Sequence, residues 1–419
     1  MPKAESESRE VEVWAAWLTS PARMGTLRAT TARGHDVFSF EYERAWVESS
    51  NLGQLDPDLQ LFRGPQYVRD DKPNVGVFLD SSPDRWGRVL MDRREAQLAR
   101  TQKRPKRTLR ELDYLLGVFD GHRMGGLRFR IGDGPFLDDN TELASPPWTS
   151  LRELEQASLH LEEEGAERDP AYAKWLMMLV APGRSLGGAR PKASVVDPEG
   201  GLWIAKFPSR DDSTDVGAWE AVLHTLARRA KITTADFEQK RFGSKRHTFL
   251  SKRFDRAGRQ RIHFASAMTL LGRVDGEDAP ASYLDLAEII ARHGAHPARD
   301  LEQLWRRIAF NVCVSNVDDH LRNHGFLLEP SGWSIAPAYD MNPVAHGDGL
   351  ALNISTTDNA QDLDLVRSVA SQFRIKPPRG KAILAEVVAA VRTWEAEAKA
   401  AGLTRDAREA MSSAFRLVA

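Results

Sequence analysis

The 419-residue sequence predicts an α+β protein in two lobes, a mixed α/β amino-terminal lobe and a mostly helical carboxy-terminal lobe. Three patterns carry that expectation. Short apolar runs separated by turn chemistry fill residues 10–135, a strand–hairpin–strand–helix pattern occupies 150–255, and helical periodicity dominates 256–419. A chain this long exceeds one typical core, so subdomains with a cleft between lobes are expected.

In the first part, Val37-Phe38-Ser39-Phe40-Glu41-Tyr42 alternates as a half-buried strand does. The basic run of Lys103, Arg104, Lys106 and Arg107 reads as a solvated loop before a helix rather than a contact for an acidic partner or nucleic acid. Pro135, Pro146 and Pro147, with Asp138, Asp139 and Asn140 between them, break periodicity and place a junction near 133–150. A helix is expected from Ser150 to about Glu164. Ala193 to Val196 and Leu202 to Phe207 flank Asp197-Pro198-Glu199-Gly200-Gly201, which predicts a hairpin whose second strand carries Lys206. A helix then starts at Ser213 or Thr214, with Val216, Trp219, Leu223, Leu226 and Ala230 on one apolar face.

From Arg256 onward the pattern is mostly helical. Tyr283 to His293 is amphipathic, and Leu301, Leu304, Trp305, Ile308, Ala309 and Val312 recur at helical spacing up to about Ser315. Pro377 and Pro378 precede an Ala-rich helix expected from about Gly380 to Ala400, and Gly402 stops it before a final short helix. There is no repeat, coiled-coil or helix-turn-helix pattern.

With 58 basic and 59 acidic side chains, the chain lacks the field for non-specific nucleic-acid binding; such a partner needs a local patch or another protein. The single cysteine, Cys313, cannot form an internal disulfide, and its helical apolar context reads as a buried, inert thiol. No apolar stretch approaches the ~20 residues that span a bilayer, and the start Met1-Pro2-Lys3-Ala4-Glu5 is unlike a signal peptide, so a cytoplasmic protein is expected.

The chemistry concentrates in Asn316-Val317-Asp318-Asp319-His320-Leu321-Arg322-Asn323. Asp318 and Asn323 stand five positions apart, as a proton-accepting Asp and a metal-binding Asn do in the catalytic loop of phosphotransferases. Seventeen residues later comes Asp340, where a second metal carboxylate is expected. Upstream, Arg184 to Lys192 is a small-residue loop opening a strand, whose glycines let backbone N–H groups approach phosphate oxygens. Lys206 lies in an otherwise apolar strand, where an ammonium needs an anion. Glu220 on the following helix could pair with it, although a surface glutamate is the commoner case. Phe249 to Arg256 leaves a strand for the helical half and reads as a hinge that offers backbone hydrogen bonds to adenine, with Phe254 as an apolar wall. Asp319 reads as a bystander of Asp318, and His320 beside it is not read as a zinc ligand. The order of phosphate loop, lysine, hinge, catalytic Asp with Asn, and metal Asp is that of kinases.

Those segments together resemble HipA-family serine/threonine kinases, the toxin half of bacterial HipA/HipB toxin-antitoxin pairs. The resemblance covers about residues 35–375. Val77 to Gly87, Leu115 to Val118 and Arg123 to Phe129 are similar to the family's amino-terminal region; Ser185 to Lys192, Phe207-Pro208, Arg253 to Arg256, Asn316 to Asn323 with Gly325-Phe326, and Tyr339-Asp340 are similar to its kinase core. The resemblance implies a two-lobed, protein-kinase-like fold with a HipA amino-terminal subdomain at 10–135, a nucleotide-binding lobe at 150–255 and a helical catalytic lobe at 256–419. It further implies ATP and Mg2+ as cofactors, Asp318 as catalytic base, and Asn323 and Asp340 as magnesium ligands. ATP contacts are implied for Gly187, Gly188, Ala189, Arg190, Pro191, Lys192, Lys206, Lys252, Arg253, Phe254, His320, Leu321, Arg322, Asn323 and Tyr339. Ser185 matches the serine that family members autophosphorylate.

The implied partners are a HipB-like antitoxin, a protein substrate of the aminoacyl-tRNA synthetase class, and DNA only indirectly through the antitoxin. Departures from the family pattern are Arg190-Pro191 before the loop lysine, Arg322 before the catalytic-loop Asn, and Lys252 at the hinge; none removes a required group. Two alternatives use the same residues: a small-molecule kinase on this scaffold, and a non-enzymatic co-repressor acting through an antitoxin.

Overall fold

The computed structural model describes residues 8–32, 35–49, 54–69, 71–137, 146–180, 190–276 and 280–418. The chain forms two compact units, one of residues 1–204 with 255–275, the other of 205–254 with 276–419.

The first unit is built on a five-stranded antiparallel sheet. In spatial order its strands are Gln66–Tyr67, His35–Tyr42, Ala22–Ala32, Ser8–Ala15 and Leu127–Arg130. Register sets Phe40 opposite Leu27 and Val13 opposite Phe129, so the apolar set of every long strand shares one face. Phe40, Phe78 and Phe129 meet there edge to face, with centroids 5.5 and 6.0 Å apart, and removing one such ring costs about 3–5 kcal/mol. A 17-residue helix, Arg85–Thr101, follows; its N-cap Asp84 accepts a bond from the Gly87 N–H at 2.7 Å. It packs on Tyr172–Val180, which pairs with Leu151–Leu161, the helix expected from Ser150.

In the second unit, the strand Phe237–Lys240 pairs antiparallel with Thr248–Lys252. The helix Val216–Arg229 begins two or three residues later than the expected Thr214 or Ser213 because Asp215 caps it, accepting from the Ala218 N–H. Gly217 lets this helix sit hard against the strand: a Cβ there would lie 2.1 Å from the His247 carbonyl oxygen. Pro297–Val314 forms as its periodicity predicts, and Leu301, Leu304, Trp305, Ile308, Ala309 and Val312 are all buried. Burial pushes the Cys313 thiol up to about 12, which fits an inert packing role.

The expected helix from Gly380 to Ala400 is two helices, Pro377–Val391 and Trp394–Ala400. The break turns Trp394 inward to stack on Phe415, ring centroids 4.3 Å apart, a tertiary contact that overrides local helix propensity. A hairpin of Gly325–Glu329 and Gly332–Ile335 also interrupts the helical part, where no strand was expected. Among the described residues, no helix is long and apolar enough to cross a membrane.

Candidate active site

Lys206 ends the strand Leu202–Lys206, whose Trp203 and Ala205 are buried as alternation requires. Its Nζ donates to Glu220 Oε1 at 2.6 Å and to Asp340 Oδ1 at 2.7 Å. Burial alone would lower the ammonium's pKa, but the Asp340 and Glu220 carboxylates outweigh it and raise it, so Lys206 stays charged. Glu220 is not the surface residue that composition favours. Its helix is buried on nearly every side, from Gly217 through His224, so only an ion pair can hold a carboxylate there. One turn on, His224 is enclosed by Phe237 and Phe249; burial first, then the nearby Lys206 charge, pushes it down to about 3 and keeps it neutral.

The helix Pro297–Val314 delivers the acidic loop. Ser315, its C-cap, adopts the left-handed conformation (φ 49°) and turns the chain out of the helix. Asp318 is exposed, whereas Asp319 is buried. Asp319 Oδ2 accepts from the Tyr283 hydroxyl at 2.6 Å and from Asn311 Nδ2 at 2.8 Å, and lies 2.8 Å from His324 Nε2. Burial favours the neutral acid, yet His324 and Tyr283 hold this carboxyl below its usual range. Asp319 is therefore the internal anchor of the loop and not a bystander.

Two further bonds join the loop to the segment of Asp340. Asn316 Oδ1 accepts from the Asn342 N–H at 3.0 Å, and the Tyr339 hydroxyl donates to the Arg322 carbonyl at 2.6 Å. Asn316 Nδ2 also donates to Asn311 Oδ1, so the anchor is continuous with the bridge. Asp340 itself has φ 58°, a left-handed geometry that costs a non-glycine residue about 1–3 kcal/mol and clusters at functional sites.

Asn323 Nδ2 is spent on the Asp318 carbonyl at 2.9 Å, which points its Oδ1 elsewhere. That Oδ1 is buried and has no hydrogen-bond partner among the described residues. An orphaned amide oxygen on a loop bonded to Tyr339 and Asn342, either side of Asp340, fits a hard cation, and magnesium characteristically takes one or two protein oxygens with phosphate and water completing its shell. Among the described residues, no group of three or more His, Cys, Asp or Glu could hold a metal ion. His320 also has a buried ring atom, Nδ1, without a partner among the described residues.

Of the other expected residues, Leu321 is buried, Lys252 is exposed and Arg253 buried, and the Phe254 ring lies 5.6 Å from that of Tyr339. Arg190, Pro191 and Lys192 belong to the first unit. There Lys192 Nζ is buried and paired with Asp84 Oδ2 at 2.8 Å. Ser185, Gly187, Gly188 and Ala189 lie outside the described residues. Sequence reasoning missed Tyr283, Asn311, Asn316 and His324. Asn311 is a polar interruption inside the apolar last turns of the helix Pro297–Val314 and Asn316 stands just beyond its end, the one signal that pointed to them.

A model of the HipA-like C-terminal domain matches residues 184–394, half of the chain. The chain belongs to the HipA-like family. HipA of Shewanella oneidensis MR-1, solved with HipB and its operator DNA, superposes on 97% of this chain and 95% of its own at a TM-score of 0.67 and 18% identity, which shows the shared fold. A Sinorhizobium fredii protein named "Putative kinase Y4mE" is 30% identical over 156 residues, 35% of each chain. The match thus spans about a third of that relative's length. The HipA-like chain keeps the two-lobed mixed α/β architecture, with its acidic loop inside the matched region.

Proposed function

We propose that this HipA-like chain is an ATP- and Mg2+-dependent serine/threonine protein kinase and the toxin of a toxin-antitoxin pair. The observation that carries the reading is the orphaned Asn323 Oδ1 on a loop bonded to Tyr339 and Asn342, either side of Asp340, with Lys206 ion-paired to that Asp340. Phosphoryl transfer needs positioning and charge neutralisation more than covalent chemistry from the protein. Magnesium, when bound by Asn323 and Asp340, would supply charge neutralisation on the phosphate oxygens. Lys206, kept cationic by its two carboxylates, reaches the phosphates, and Glu220 fixes where its ammonium points. Asp318, exposed at the loop's outer side, orients and accepts the proton of a protein hydroxyl. Phe254, with the backbone of Lys252 and Arg253, walls the adenine, and His320 through Asn323 complete the nucleotide site. By resemblance, Gly187 through Lys192 grip the phosphates, and a phosphate on Ser185 would repel ATP from that loop and switch the enzyme off.

The family membership and the Shewanella HipA fold support a HipB-like antitoxin as partner, with DNA reached through it. An aminoacyl-tRNA synthetase as target rests on the resemblance alone. Radiolabelled ATP, supplied to the purified chain alone and with a cell lysate, tests the reading. Wild type should label itself and a discrete protein, Ser185→Ala only the protein, and Asp318→Ala neither. Wild type that binds Mg-ATP yet labels no protein would defeat the protein-kinase reading.

A further inference from the structure

The first unit holds an open cavity of about 640 Å³ lined by Arg93, Arg100, Lys103, Arg104, Lys106 and Glu167. Five cations against one carboxylate is a local excess that a chain of net charge −1 shows nowhere in its average composition. The size is that of a small-molecule pocket.

Two of the cations are committed to the protein. Arg104 forks onto Glu95 at 2.6 and 3.0 Å, and Arg93 donates to the Leu161 carbonyl at 2.7 Å. Glu95 also accepts from the Arg107 N–H, so the buried acid beneath the run is saturated. Arg100, Lys103 and Lys106 are exposed and make no ion pair among the described residues. The Arg100 guanidinium lies 6.0 Å from the Tyr172 ring, whose side is part of the lining.

The backbone adds a second observation. After Arg85–Thr101 ends, the Lys103 N–H bonds the Arg100 carbonyl and the Arg104 N–H bonds the Ala99 carbonyl, the two bonds of a Schellman cap. The left-handed position of that cap normally takes glycine; here it is Lys103, at φ 51°. A helix C-terminus welcomes cations, but its carbonyls would also repel an anion. Here those of Leu98, Ala99 and Arg100 are each capped by an N–H, of Gln102, Arg104 and Lys103 respectively, which softens that repulsion. Dipole compensation explains why cations follow the helix; it does not explain why they ring a cavity.

We propose that this cavity binds a small oligophosphate, a molecule whose adjacent phosphoryl groups meet Arg100, Lys103 and Lys106. A compact ligand fits a small open basin with the carboxylate of Glu167 at its wall; duplex DNA would ask for an extended basic face clear of acids.

The test is calorimetric titration of the full chain with sodium tripolyphosphate in the absence of magnesium, and in parallel with a 20-base-pair duplex. The triple variant Arg100→Ala, Lys103→Gly, Lys106→Ala removes the free charges, with glycine chosen because it suits the left-handed position. It should weaken tripolyphosphate binding by about tenfold or more, since it deletes three charge-assisted contacts, while Mg-ATP binding stays unchanged and reports an intact fold. Glu167→Gln should tighten tripolyphosphate binding several-fold by about the same logic. Undetectable binding to wild type, equal binding by wild type and triple variant, or substitutions that weaken the duplex and not tripolyphosphate would each overturn the proposal.

Discussion

The inner and outer sides of the Asn316–Asn323 loop use the same residue types to opposite ends. Inside, Asp319 and Asn316 are buried and tied to Tyr283, Asn311, His324 and the backbone of Asn342. Outside, Asp318 stands exposed and Asn323 keeps a buried oxygen without a partner among the described residues. The difference teaches that a carboxylate's role here is set by how many of its lone pairs the fold has already claimed. The saturated side supplies rigidity, and the unsaturated side is left for chemistry.

That contrast breaks most sharply at the two neighbouring aspartates. Asp318→Ala should lower the rate of phosphoryl transfer by about 10²–10⁴-fold, the usual worth of a positioned proton acceptor, while the melting temperature stays put. Asp319→Ala should do the reverse first: it strands a buried hydroxyl, an amide and an imidazole, so denaturant titration should show a loss of about 3–5 kcal/mol. Equal melting temperatures for the two variants would erase the distinction between the sides.

A smaller effect sharpens the outer side. Asn323→Ala should raise the magnesium concentration needed for half-maximal activity by about tenfold or more, with little change in stability; an unchanged magnesium dependence would remove Asn323 from the metal's shell.

A pH effect comes from the packed interior, where neither ring nitrogen of His224 has a hydrogen-bond partner among the described residues. His224 titrates near 3 when folded against an ordinary 6.5. Above pH 6.5 neither state binds the proton, so His224 adds no pH dependence. Below it the unfolded chain takes a proton that the folded chain refuses, and stability falls by about 1.4 kcal/mol per pH unit until folded His224 also protonates near pH 3. Urea midpoints between pH 7 and 4 should therefore drop less steeply for His224→Phe than for wild type.

Much of this was legible in the sequence because chemistry dictates spacing. The interval from Asp318 to Asn323, the position of Asp340 and the alternation around Lys206 all survive as geometry. What was not legible depended on facts that no spacing carries. One apolar face was visible on the helix of Trp219 and Leu223, but not that neighbours cover its other faces and leave Glu220 no water. Adjacent residues on a loop point in different directions, so nothing in Asp318-Asp319 said which would be buried. The turn at Arg392-Thr393 is likewise set by the stacking of Trp394 on Phe415, a partner 21 residues away in the chain.

Gly217 has no functional group, yet the aim of Lys206 is stored there. Its missing methyl is what allows the helix of Glu220 to lie against the strand after His247. Any larger side chain must push that helix outward and lengthen the 2.6 Å contact that holds the lysine. A relative of this chain with every charged site residue intact and an alanine at 217 would thus carry a disarmed site that a survey of its catalytic residues would pass as sound.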